Sequence, residues 1–180
     1  MVTMYMQLFN TVLIPHEFVG KAATDFARKN FSNGHNGYCL DVDGHLPHVT
    51  IAQLKTPDDF DISKLYNEIS KLNWSQENEL GLGNYYHDDP KRYNGVEVIM
   101  SPELRSMHDN VVTMYEGLDL NVENLKGDDY WPHLTFSKNP NRLPEPIQLP
   151  IALTGKSAGW RLEVGHAGKH WTYLGAYNPK

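Results

Sequence analysis

Apolar and polar positions along the chain fall into two periods, two and three-to-four, and these outline the elements. Met4, Met6 and Leu8 interleave with Tyr5, Gln7 and Phe9, and an apolar run continues over 11–14. This predicts a strand buried on much of both faces, ended by Pro15. Phe18, Ala22 and Phe26 then recur at helical spacing and predict a helix to about residue 30. Asn33-Gly34 and Asn36-Gly37 read as turns, and 38–42 as a short strand. After a turn at Asp43-Gly44, a strand is expected over 48–54. Thr56-Pro57-Asp58-Asp59 breaks the chain, and Ile62, Leu65, Tyr66, Ile69 and Leu72 mark a second helix.

Residues 75–90 are polar and Gly-rich and predict one weak strand and a loop. A clear short strand follows over 96–100. Ser101-Pro102-Glu103 is a helix start, with Ser101 as cap and Pro102 as first helical residue. Leu104, Met107, His108, Val111, Met114, Tyr115 and Leu118 form its apolar stripe. Another strand is expected over 131–138, then a proline-rich loop over 139–146. Ile147, Leu149, Ile151 and Leu153 alternate as a further strand. Trp160, Leu162 and Val164, a turn over 165–169, and 171–177 read as a final hairpin.

Two of these strands carry the same words. Pro47-His48-Val49-Thr50 is followed by Ile51, and Pro132-His133-Leu134-Thr135 is followed by Phe136. Side chains two apart on a strand share a face. His48 and Thr50 therefore share one face, with Val49 and Ile51 behind, and His133 and Thr135 repeat the arrangement. Brought side by side, the two strands place two imidazoles and two hydroxyls around one cleft. That set suits acid–base chemistry on an anionic ester. A single His-x-Thr carries little information, since Thr is simply a good strand residue; the matched pair carries much more.

Bulk properties narrow the ligand. The 180 residues suit one sizeable domain or two fused lobes, and 40% hydrophobic content supports a core. A formal net charge of −6 argues against a surface that tracks long DNA or RNA, yet leaves room for a small anion in a locally positive pocket. Cys39 is the single cysteine, which rules out an internal disulfide, argues against a Cys-built zinc site and fits a reducing cytosol. No apolar run approaches the roughly 18–20 residues that span a bilayer, and the first residues read as a strand rather than a signal peptide. A soluble, cytoplasmic protein is expected, with no membrane partner. Nothing resembles a dimerisation coil, so a monomer is expected.

The two motifs resemble those of the 2H phosphoesterase superfamily, in which His-x-Thr/Ser-x recurs on strands of two pseudo-symmetric lobes. That group includes 2′-5′ RNA ligases and cyclic nucleotide phosphodiesterases. The resemblance covers most of the chain in element order, while its specific part is the two motifs. It implies an α+β fold of two pseudo-symmetric lobes of antiparallel sheet with outer helices around a central cleft. All of 1–180 would form one bilobal domain, with halves near 15–90 and 91–160 and terminal strands shared. It implies His48 and His133 as catalytic acid and base, with neither role assigned to either ring, and Thr50 and Thr135 as phosphate ligands. Lys138, five positions after the second histidine, matches a basic residue of many members; the first-half equivalent is Gln53. Tyr130 and Trp131 are candidates for stacking on a base, or for plain core packing. No metal and no cofactor is implied. Three functions remain open: a metal-independent phosphodiesterase acting on a small nucleotide, a catalytically silent module that binds RNA ends or nucleotides in the same cleft, or a hydrolase using a His-bound metal, which chelators would abolish.

Other chemistry-bearing residues have simpler readings. His45 and His48 fall on opposite faces of a strand, which disfavours a shared metal. His166 and His170 lack a third ligand. His87-Asp88-Asp89 reads as a solvated loop that could cover the cleft, and His108 as a satisfied core histidine. Met1, Met4 and Met6 read as core filling. Gly81-Leu82-Gly83 lacks the third glycine and the context of a phosphate-binding loop.

Overall fold

Strands β1 (Met6–Ile14), β2 (Val49–Pro57), β3 (Leu80–Asp88), β4 (Tyr93–Ile99), β5 (His133–Lys138), β6 (Gly155–Ser157), β7 (Arg161–Ala167) and β8 (Tyr173–Ala176) form one antiparallel sheet in the order β6-β3-β4-β5-β2-β1-β7-β8. This computed structural model describes residues 6–33, 38–40, 42, 44–124, 126–168 and 171–177. Met1 and Met4, the turns at Asn36-Gly37 and Asp43, and His170 lie outside the described residues.

The sheet falls into two sets of four strands, each led by a motif strand. β2 pairs with β1, β1 with β7, and β7 with β8. Likewise β5 pairs with β4, β4 with β3, and β3 with β6. The sets meet where β2 and β5 share a single registered pair, Val49 with Leu134. β3, within the 15–90 stretch, thus pairs in the set led by the second motif.

Helices α1 (Glu17–Phe31), α2 (Ser63–Ile69) and α3 (Pro102–Gly117) bury their apolar stripes on the sheet. Each long helix crosses the seam: α1 follows β1 but packs on β5, and α3 follows β4 but packs on β2. Phe26 of α1 meets Phe136 of β5 at 5.0 Å between ring centroids, and Tyr115 of α3 hydrogen-bonds Thr11 of β1. Side-chain packing thereby joins sets that the backbone joins at one point. At the start of α3, the Leu104 amide donates to Ser101 Oγ at 3.1 Å, with Pro102 in the first helical position. Among the described residues, no helix is long and apolar enough to cross a membrane.

Three local expectations change. Cys39, within 38–42, makes only an isolated bridge to Ser137. The Gly-rich stretch 75–90 contains a nine-residue strand, β3, because Gly81 lets Ile99 of β4 lie close; a Cβ there would sit 3.2 Å from its side chain. Residues 147–153 form no strand. Pro146 and Pro150 remove ladder donors, and Ile151–Leu153 is a 3₁₀ turn with Ile151 exposed and Leu153 buried. The apolar alternation of the sequence is thus not matched by alternating burial, since Ile151 faces outward while Leu153 is buried.

Candidate active site

The pairing of Val49 with Leu134 builds the centre of the cleft. In an antiparallel pair that register sets His48 across from Thr135 and Thr50 across from His133. Val49 and Leu134 are fully buried, while the four motif side chains line a cleft of about 450 Å³ on the other face.

Both motif strands then break alternation at the same place. On β2, Ala52 pairs with Thr11 and Thr50 with Val12, which leaves Ile51 as an extra residue. On β5, Thr135 pairs with Gly95 and Ser137 with Asn94, which leaves Phe136 extra. Each is a β-bulge three positions after the motif histidine, and each flips the face of the residues beyond it. Strict alternation would turn the fifth position away from the cleft. The bulges instead return Gln53 and Lys138 to the cleft face. Gln53 lines the cleft, whereas Lys138 does not, and its ammonium lies 5.5 Å from the centroid of the Tyr93 ring.

The two imidazoles are held alike. His48 Nδ1 lies 2.8 Å from the Leu46 carbonyl and His133 Nδ1 lies 2.9 Å from the Trp131 carbonyl, each two residues upstream. A carbonyl only accepts, so each Nδ1 carries the proton and each Nε2 of the neutral ring is a free base. Burial pushes the His48 pKa down to about 4, against the Leu46 bond that raises it, with His133 and His45 adding repulsion. Burial also lowers His133, against its Trp131 bond; Lys91 lowers it further and Asp88 raises it. Both rings are therefore neutral at pH 7 in the free protein.

Neighbours fix the threonines. Tyr86 Oη lies 3.1 Å from Thr135 Oγ1, with its ring edge-on to His133. Gly95 makes room for it, since a Cβ there would meet Leu134 O at 2.3 Å and Tyr86 Cε1 at 2.6 Å. Tyr130 is buried, donates from Oη to Thr50 O at 2.7 Å, and stacks face to face on His108 at 3.7 Å. One face of Tyr130 is thus already occupied. His108 is buried and its Nδ1 bonds Ile51 O at 3.0 Å, while Asn124 Nδ2 donates to the same carbonyl at 3.3 Å. Trp131 remains 41% exposed at the mouth, 4.7 Å from both the Tyr86 and His133 rings.

Sequence reasoning did not single out Tyr86, Lys91, Tyr93, Asn124, Trp171 or Thr172, all of which line the cleft. Lys91 comes from the β3–β4 turn, for which Asp88-Asp89-Pro90 is a signal. His87 and Asp88, expected in a solvated loop, instead end β3, registered with Asn94 and Tyr93 of β4; Asp88 lines the cleft, and the His87 ring is buried between Asn94 and Asp89. Trp171 has a φ of 58°, a left-handed backbone that costs a bulky residue on the order of 1 kcal/mol or more. Its carbonyl accepts from Asn10 Nδ2 at 2.6 Å. Among the described residues, no group of three or more His, Cys, Asp or Glu is placed to hold a metal.

A sheet of this order with a central two-histidine cleft is the 2H phosphoesterase-like architecture that the motifs imply. No family model matches the chain, and neither does any curated protein. Solved structures share its fold. Escherichia coli LigT complexed with phosphate aligns at a TM-score of 0.66 and 12% identity, covering 96% of this chain and 95% of that one. The same protein complexed with 3′-AMP aligns at 0.64 and 12% identity, covering 91% and 88%. A phosphoesterase aligns at 0.64 and 11% identity, covering 91% and 90%.

Proposed function

We propose that this protein is a metal-independent phosphodiesterase of the 2H type, acting on a small nucleotide. The substrate is a 2′-5′ linked or cyclic oligonucleotide, or a 2′,3′-cyclic phosphate. One observation carries the reading: two imidazoles, each locked through Nδ1 to the carbonyl two residues back, flank one registered strand pair, each across from the other motif's threonine. The fold's occurrence in LigT, crystallised with phosphate and with 3′-AMP, supports a nucleotide as ligand.

The chemistry rests on the two rings. One imidazole takes the proton of a ribose hydroxyl through Nε2. The freed oxygen attacks phosphorus, the opposite P–O bond breaks, and the other ring, as imidazolium, protonates the leaving oxygen. With water as nucleophile the same steps open a cyclic phosphate. Each transfer contributes roughly 10²–10⁴-fold. Because both rings start neutral, the acid gains its proton as the anionic phosphate arrives and favours the imidazolium. Thr50 and Thr135 donate to the non-bridging oxygens, and Lys91, lining the cleft, supplies the point charge. Lys138, beside Tyr93, and Lys55, over the Trp171 ring, are further cations on that face.

The neutrality of both rings also favours the second reading, a silent nucleotide-binding module, if bound phosphate fails to charge one of them. Product chromatography separates the two. Protein in chelator is offered 2′-5′ and 3′-5′ oligonucleotides, cyclic oligonucleotides and 2′,3′-cyclic mononucleotides, beside folded His48→Ala and His133→Ala variants. Turnover that chelator leaves intact and both variants abolish supports the phosphodiesterase. Folded protein that binds and turns over nothing supports the module, and loss of turnover in chelator sinks the metal-free mechanism.

A further inference from the structure

The cleft holds two indoles, and they belong to opposite sets of strands. Trp131 precedes β5, beside His133 and Tyr86. Trp171 precedes β8, and its carbonyl is bound by Asn10, the register partner of Gln53 on β2. The four motif side chains lie on the strands between them.

Neither indole is where packing alone would leave it. Trp131 stays 41% exposed although its neighbours Tyr130 and Leu134 are buried. Trp171 adopts a left-handed backbone, and Asn10, fully buried, spends its amide on holding that turn. Strain of this kind collects at ligand clamps. A nucleobase offers a flat face to any aromatic ring, whatever its sequence. Each platform takes one base.

Charge sets the length of the ligand. Lys91 lines the cleft and Lys138 lies beside the lining Tyr93, against the carboxylates of Asp88 and Glu123; Glu123 is paired at 2.9 Å with Lys55, whose ammonium lies 5.6 Å from the centroid of the Trp171 ring. Such a cleft lacks the excess positive charge that a run of phosphates demands. That charge balance favours one phosphodiester over a run of them.

Building on the phosphodiesterase reading, we propose that the substrate is a dinucleotide unit, linear or cyclic, with its scissile phosphate at the two histidines and its bases on Trp131 and Trp171. The test compares kcat/KM for 2′-5′ and 3′-5′ diadenosine monophosphate and a cyclic dinucleotide against 2′,3′-cyclic AMP, in wild type, Trp171→Ala and Trp171→Phe. The expected result is a dinucleotide-to-mononucleotide ratio that falls roughly tenfold in Trp171→Ala, as loss of one stacked base would give, and largely recovers in Trp171→Phe. A ratio unchanged by Trp171→Ala in folded protein overturns the proposal, as does wild-type preference for 2′,3′-cyclic AMP over every dinucleotide.

Calorimetry with diadenosine monophosphate methylated at the attacking hydroxyl tests the platforms without turnover. Binding at least tenfold tighter than AMP, lost in Trp171→Ala, keeps the two-base cleft even where no cleavage occurs and only the phosphodiesterase reading fails. Equal binding of the two ligands overturns the two-base cleft while leaving that reading intact.

Discussion

Acidification should destabilise this protein through His48 in particular. The ring is buried beneath the cleft and its pKa falls from an ordinary 6.5 to about 4. As pH drops through 6.5 the unfolded chain binds a proton at this position while the folded chain does not. Stability rises with pH wherever the unfolded state holds more protons. The contribution is therefore complete above 6.5, is lost progressively on the way down to about 4, and is constant below. At 1.36 kcal/mol per pKa unit the loss by pH 4.5 is on the order of 2 to 3 kcal/mol. The comparison is with His48→Asn, whose amide can still donate to the Leu46 carbonyl but does not titrate. Urea unfolding of both proteins at pH 7.5, 6, 5 and 4.5 isolates the histidine, because every other group is common to the pair. The stability difference should swing against wild type by that amount. Curves that stay parallel to within about 0.5 kcal/mol would refute the claim that burial governs this ring.

Three further outcomes are expected. The pH profile of kcat/KM needs one neutral and one protonated ring in the free enzyme; with both pKa values below 6.5, activity should peak between about 4 and 6.5 and fall on the alkaline side, and an optimum above 7.5 would contradict the assignment. Gly95→Ala should cost about 2 kcal/mol or more in urea unfolding, because the new methyl meets the Leu134 carbonyl and Tyr86, while Gly117→Ala, with open space around it, should be near neutral. Tyr86→Phe removes the partner of the Thr135 hydroxyl and should lower kcat/KM about five- to tenfold, the worth of one hydrogen bond, with a melting temperature within a few degrees of wild type.

Sequence periodicity carried the three helices, the motif strands and the terminal hairpin because each buries one face. It carried the four motif side chains for the same reason. The features it could not carry are set by pairing. The bulges at Ile51 and Phe136 decide that Gln53 and Lys138 reach the cleft face, yet nothing in either residue announces an extra position in the ladder. Lys91 comes to the cleft by a hairpin whose first strand, β3, is concealed by glycines that serve close strand approach. Ile147, Leu149, Ile151 and Leu153 show the converse, an apolar alternation without a strand, with Ile151 left exposed in a 3₁₀ turn. Trp171 required knowledge of which turn stands over which strand.

The shared register of Val49 and Leu134 has a consequence for direction. A half-turn about the midpoint of that pair exchanges the two motif strands, carrying His48 onto His133 and Thr50 onto Thr135. A phosphodiester is itself nearly unchanged when its two ester oxygens trade places. If the proposed function holds, the central four residues would accept a substrate equally well head first or tail first, and in each pose the attacking and leaving sides would swap histidines. Polarity has to be imposed from the periphery, where the halves differ: Gln53 against Lys138, and the Tyr86 hydroxyl at the Thr135 side chain against the Tyr130 hydroxyl at the Thr50 carbonyl. On the proposed mechanism, which ring acts as the acid would be a property of those outer residues rather than of the motifs.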